Sequence, residues 1–178
     1  MRAPLSPSRR RQLETLVKVL AIFKIDFAPT HKQPATGRLV LATLVSLVGS
    51  LAADAILVAI GTAIFPPTKG YVHFVFSDYA KLTTVGVIIA CTGWPLVTRV
   101  SSAPRWVFLR AAVLVTLILF LPDFYLLVRG DSAKAVLVLM VMHVAIALVT
   151  YQALVRLAPT KPVSALSGAR EEEFARER

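Results

Sequence analysis

The chain has 178 residues, a net charge of +10 at pH 7 and a mean hydropathy of +0.69; apolar residues make up 56% and charged residues 17%. Ordinary soluble domains are about 45–50% apolar and about 25% charged, so disorder over most of the chain is excluded. The single cysteine, Cys91, excludes an intramolecular disulfide framework and a cysteine-based metal cluster.

Residues 11–27 are predicted to form a basic amphipathic helix. Leu13, Leu16, Val17, Leu20, Phe23 and Phe27 follow the three-four spacing of one helix face, with Arg11, Glu14, Lys18 and Lys24 around it. Arg9 and Arg10 precede it directly. Such a helix beside a membrane lies in the interface on anionic headgroups. Packing on a partner or on the end of a bundle is the other reading. Pro29 and Pro34 end the helix, and residues 1–37 form a basic segment ahead of the first apolar stretch.

A bilayer core about 30 Å thick needs ~20 mostly apolar residues as helix. Four segments qualify, at about 39–65, 82–98, 106–128 and 135–155. Backbone groups in lipid must satisfy each other, which helices do. The segments are too long for membrane β-strands of about 10 residues and lack the polar face of a soluble helix. The expected fold is an all-α membrane protein: a four-transmembrane-helix bundle over residues 38–157, with the N-terminal amphipathic helix in the interface. Between spans one and two, Tyr71–Tyr79 is rich in aromatic residues, which favour the headgroup region. A short re-entrant or interfacial segment is expected there, with a ligand-binding lid as the alternative. Gly93-Trp94-Pro95 and Leu121-Pro122 are expected to kink spans two and three. Ser46, Gly49, Ser50 and Ala53, and likewise Gly86 and Ala90, make small-residue faces for close packing within the chain or between chains. Residues 158–178 read as a disordered charged tail.

The positive charge follows the spans. Eight basic residues precede span one: Arg2, Arg9, Arg10, Arg11, Lys18, Lys24, Lys32 and Arg38. Arg99, Arg105 and Arg110 flank the middle loop, and Arg156, Lys161, Arg170, Arg176 and Arg178 follow span four. The other two loops hold only Lys69 and Lys81, and Arg129 and Lys134. The positive-inside rule then puts both termini in the cytoplasm of an inner-membrane protein. Charge read this way does not require nucleic acid as a partner.

Ionisable residues inside spans are costly and usually face the bundle interior. Asp54 lies ~16 Å from the outer end of span one, Asp123 ~8 Å down span three and His143 ~12 Å down span four, at 1.5 Å per residue. Spans three and four are joined by a short loop, so these three residues are the candidate intramembrane polar cluster. Such a cluster can relay protons, bind a cation or recognise a polar ligand; joining the helices by hydrogen bonds is the plainer role. Arg110 and Trp106 read as interfacial anchors. No phosphate loop, dinucleotide fingerprint, nucleophile elbow or zinc-protease helix motif is present. No metal or cofactor is expected, and no catalytic residue.

Leu82–Ala158 contains Thr84-Val-Gly-Val, Gly93-Trp94, Arg105-Trp106 and Met142-His143. In these features, and over roughly Arg38–Ala158 with span one included, the chain resembles a family of small bacterial four-span integral membrane proteins of unknown function. The resemblance implies fold and topology. Met142-His143 matches a recurrent Met-His mark in the family's last span. The basic N-terminal helix and Asp123 depart from its pattern. No activity is implied. The expected role is that of a non-enzymatic accessory or interaction protein. Its partners would be the anionic bilayer surface and either a second copy or another membrane protein. A small oligomeric transporter or proton-coupled channel using the Asp/His cluster is the alternative.

Overall fold

The computed structural model describes residues 7–22, 25 and 31–162. Phe23, Lys24, Phe27 and the tail from residue 163 lie outside the described residues, as do the side chains of Arg9, Arg10, Arg11 and Leu13. The described residues are helical apart from short connections: α1 (Pro7–Ile22), α2 (Thr36–Ile64), α3 (Phe76–Val100), α4 (Pro104–Val128) and α5 (Ala133–Leu157). Each of α2 to α5 is long and apolar enough to cross a membrane, so the chain is a four-span, multi-pass membrane protein with an additional N-terminal helix.

The second span is longer than hydropathy alone suggests, starting at Phe76 and not near 82. Asp78 in its first turn puts a carboxylate on the positive end of the helix dipole. The rings of Phe76 and Tyr79 meet edge to face at 5.4 Å. What remains of the loop is two 3-10 turns, Pro66–Thr68 and Val72–Phe74. α3 and α4 run on through Pro95 and Pro122.

α2 and α5 share the largest interface, followed by α4 with α5 and α2 with α3. Two glycines of α2 set the register. A Cβ on Gly61 would lie 2.7 Å from Val138 Cγ2, and one on Gly49 would lie 3.0 Å from Val149 Cγ1. Residue numbers rise along α2 as they fall along α5, so the two helices are antiparallel. The other small-residue face behaves differently: Gly86 of α3 is exposed, with nothing within 4 Å of an added Cβ. That glycine does not serve packing within the chain, whereas Ala90 of the same face is partly buried.

The bundle has two packed ends. The near end, where α2 begins and α5 finishes, is filled by Ala42, Val87, Cys91, Trp94, Phe108, Leu154, Val155 and Ala158. Trp94 is fully buried, meets Phe108 edge to face at 5.1 Å and donates its indole N–H to the Ala158 carbonyl at 2.9 Å. The flanking chain closes over this end. His31–Lys32 (β1) pairs antiparallel with Lys161–Pro162 (β2), Ile25 bridges to Ser101, and the Thr98 hydroxyl reaches the Gln33 side chain. The far end is filled by Phe74, Tyr79, Ala135, Val138 and Met142. The α4–α5 turn there ends α4 with a Schellman motif, with Asp131 N–H on Leu126 C=O, Gly130 N–H on Leu127 C=O, and Gly130 at φ +93°. On α1, Leu16, Val17, Val19 and Ile22 remain exposed.

Two glycine substitutions of opposite sign test the seam. Gly61→Ala forces a stiff valine aside and is expected to destabilise the protein by about 1–3 kcal/mol, with partial rescue by Val138→Ala. Gly86→Ala meets nothing and is expected to be neutral or to gain up to about 1 kcal/mol from helix propensity. Unfolding of both variants in detergent measures the difference.

Candidate functional site

The short α4–α5 turn makes these helices a hairpin, and 20 residues of separation bring Asp123 opposite His143. His143 Nδ1 and Asp123 Oδ2 are 3.1 Å apart. The aspartate side chain is 5% exposed and the histidine 24%. An Nδ1–H donated to the carboxylate orients the ring and leaves Nε2 directed away from Asp123. Phe120 lies edge-on to the ring, with centroids 6.5 Å apart. Asp123 is the one buried residue in the far half of α4; the other two, Pro104 and Phe108, lie toward the near end.

Asp54 takes a different partner. Thr83 of α3 donates its hydroxyl to Asp54 Oδ2 at 2.6 Å, and both residues are buried. The seam contacts put Asp54 at nearly the same level as His143, since Gly49 meets Val149 and Gly61 meets Val138. The two side chains turn to different neighbours. The expected three-residue cluster is therefore resolved into two pairs, Asp54–Thr83 across α2 and α3 and Asp123–His143 across α4 and α5. The reason is rotation about the helix axis. Asp54 continues the buried row of Ala42, Ser46 and Ser50, and that row, at steps of four, carries it to α3.

A second imidazole–carboxylate pair was not singled out from sequence. His73 Nδ1 lies 2.7 Å from Asp78 Oδ2, with both side chains about one-third exposed or slightly more. The residues are five apart across a 3-10/α junction, a spacing that matches no regular helix face. The usable signal was Asp78 as an acidic first-turn residue just after an aromatic run. Tyr71 lies close to both pairs. Its ring meets those of His73 and Phe74 edge to face at 5.3 Å each. Burial pushes its phenol above the ordinary range, and the carboxylates of Asp131 and Asp123 push the same way. The Tyr71 hydroxyl is buried with no hydrogen-bond partner among the described residues. The far end thus gathers two imidazoles, three carboxylates and a neutral phenol.

At the near end, the Arg110 guanidinium carbon lies 3.1 Å above the centroid of the Trp106 ring, one turn apart on α4. Lys18 is exposed on α1. No group of three or more His, Cys, Asp or Glu among the described residues is placed to hold a metal ion.

His143→Ala leaves Asp123 buried without its partner and is expected to cost about 1–3 kcal/mol. Adding Asp123→Ala should then cost less than it does alone; additive losses in this cycle would show that the pair does not act as a unit. Tyr71→Phe removes an unpartnered buried hydroxyl and should leave the melting temperature unchanged or raised, whereas a clear loss would reveal a hydrogen bond to that oxygen.

No curated protein and no solved structure matches this chain. Residues 30–160, from just before β1 to just before β2, match a family of unknown function, DUF6069. The matched stretch contains all four spans and every residue of the Asp54–Thr83, Asp123–His143 and His73–Asp78 pairs. The chain belongs to the family of unknown function DUF6069.

Proposed function

We propose that this chain is a non-enzymatic protein of the cytoplasmic membrane with both termini in the cytoplasm. It works as an accessory or interaction protein that binds a second copy or another membrane protein. The observation that carries this reading is the Asp123–His143 pair: a buried carboxylate fixes a partly exposed imidazole at the far end of the bundle. A neighbour can add a hydrogen bond to that ring. The His73–Asp78 pair and Tyr71 stand beside it as further polar contacts.

Several features support binding over conduction or catalysis. Trp94, Leu154, Val87 and Val136 are all buried to within 1% of full burial and fill the bundle with side chains. No hydroxyl or thiol among the described residues is hydrogen-bonded to His143, and Cys91 is packed in the other half of the bundle. The basic residues support the orientation, with sixteen of the twenty on the side of the termini. The exposed Leu16, Val17 and Ile22 of α1 support a helix lying on anionic headgroups beside that end, and the sequence of that segment supplies the matching charge in Arg9, Arg10, Arg11, Lys18 and Lys24.

The same protonatable pair favours one rival, a small oligomeric proton-coupled transporter. Reconstitution into liposomes with an imposed pH gradient separates the two. We expect the protein to dissipate the gradient no faster than empty liposomes. We also expect it to be retained in mild detergent as a defined complex that His143→Ala weakens. Gradient dissipation that disappears in His143→Ala overturns the binding reading in favour of the transporter. A C-terminal tag reached from outside intact cells overturns the orientation.

A further inference from the structure

A like-charge conflict stands in the short ladder at the near end. β1 and β2 pair in a register that sets Lys32 directly opposite Lys161. Directly opposed residues of an antiparallel pair stand on one face of it with Cα atoms about 4.5–5.5 Å apart, and like charges so placed repel. Among the described residues, no carboxylate is placed to balance that rung. Asp54, Asp78, Asp123 and Asp131 belong to the far half of the bundle, and Glu14 belongs to α1. The ion pairs of the described residues are the two imidazole–carboxylate pairs of the far end. The helices that the strands extend add charge of the same sign: Arg38 in the first turn of α2 and Arg156 in the last turn of α5, both exposed.

The bundle holds this rung in place from both sides. Gln33, next to Lys32, accepts the Thr98 hydroxyl of α3 at 3.1 Å. On the way to Lys161, Ala158 is fully buried and its carbonyl accepts the Trp94 indole N–H at 2.9 Å. Three residues separate Lys32 from the start of α2, and three separate the end of α5 from Lys161. The rung therefore lies just beyond the apolar ends of the two spans that share the largest interface. That is the depth of the headgroup region of a bilayer, where lipid phosphates lie.

We propose that Lys32 and Lys161 together bind the phosphate of an anionic phospholipid, one lipid to a chain. Two ammonium groups match the two unesterified oxygens of a phosphodiester, and charge-assisted hydrogen bonds to phosphate are strong. A headgroup with net negative charge suits a rung with no carboxylate beside it, and Arg38 and Arg156 raise the positive potential around it. The bound phosphate turns the repulsion across the rung into a bridge between the two strands. This is one fixed site, separate from the contact of α1 with the membrane surface. It does not depend on the orientation of the chain or on what binds at the Asp123–His143 pair.

The test is thermal unfolding and native mass spectrometry of the purified full chain in neutral detergent, with phosphatidylglycerol, phosphatidylcholine or inorganic phosphate added at one ionic strength. One phosphatidylglycerol is expected to stay bound to each chain. A saturable rise in melting temperature should accompany it, and phosphatidylcholine and inorganic phosphate should not produce that rise. Lys32→Gln and Lys161→Gln should each weaken the apparent affinity by roughly tenfold. Without lipid, each should melt no lower than the parent, because one of two like charges is gone. Lys69→Gln combined with Lys81→Gln, at the far end, should leave the lipid effect unchanged. A lipid effect that survives both rung variants, or that the far-end variant loses equally, overturns the proposal. An equal rise with inorganic phosphate also overturns it, in favour of a site for the free anion. Lipid-free melting of the rung variants well below the parent overturns it as well, since the lysines then serve the fold.

Discussion

The close approach of α2 and α5 sets the geometry of everything else in this bundle. Apolar helices in lipid gain little by hiding from their surroundings, because the lipid is as apolar as they are. What holds them is packing at short range and polar contact. Gly49 and Gly61 let valines of α5 reach the α2 backbone, at two points about 18 Å apart along the helix. Two contacts so far apart fix both the register and the antiparallel direction. From that register follows the level of Asp54 beside His143.

The near end solves a different problem. A bundle end at the water boundary exposes helix termini whose backbone groups need partners. Here the flanking chain supplies several of them. The Ala158 carbonyl takes the indole N–H of Trp94, Thr98 meets Gln33, and β1 pairs with β2. Trp94 serves twice, as the largest buried side chain and as a donor. Its neighbour Pro95 lacks an N–H, and the Pro95 carbonyl accepts from Thr98. The Gly-Trp-Pro stretch, expected from sequence to kink α3, also closes the bundle against the α5 terminus.

How much of this was legible follows from which physical quantity each feature depends on. Span number depends on length and hydropathy alone, which single residues rarely disturb, and all four helices lie over their expected segments. The proximity of Asp123 and His143 depends on a short turn and a count of rises, both of which sequence supplies. The partner of Asp54 depends on the rotation of α2 about its axis. A helix apolar on every side carries no hydropathy signal for that rotation; the small-residue row of Ser46 and Ser50 was the only pointer. His73 and Asp78 escaped because their pairing crosses a junction between two helix types. Gly86 shows the limit of residue type as a guide. It has the same side chain as Gly61, but it faces outward, and nothing approaches it.

α4 is the least embedded of the four spans, and its three buried residues sit near its two ends. Phe108 holds one end in an aromatic stack with Trp94 and Tyr151; Asp123 holds the other through a single hydrogen bond. Mechanically it is a lever with a firm pivot and a light latch. The arm from pivot to latch is 15 residues, about 22 Å. Release of the latch lets a swing of only about ten degrees carry the Asp123 level of α4 by about 4 Å, roughly the length of that arm times the angle. The breaking of one hydrogen bond therefore has the leverage to change the outline that this helix presents to its neighbours in the membrane.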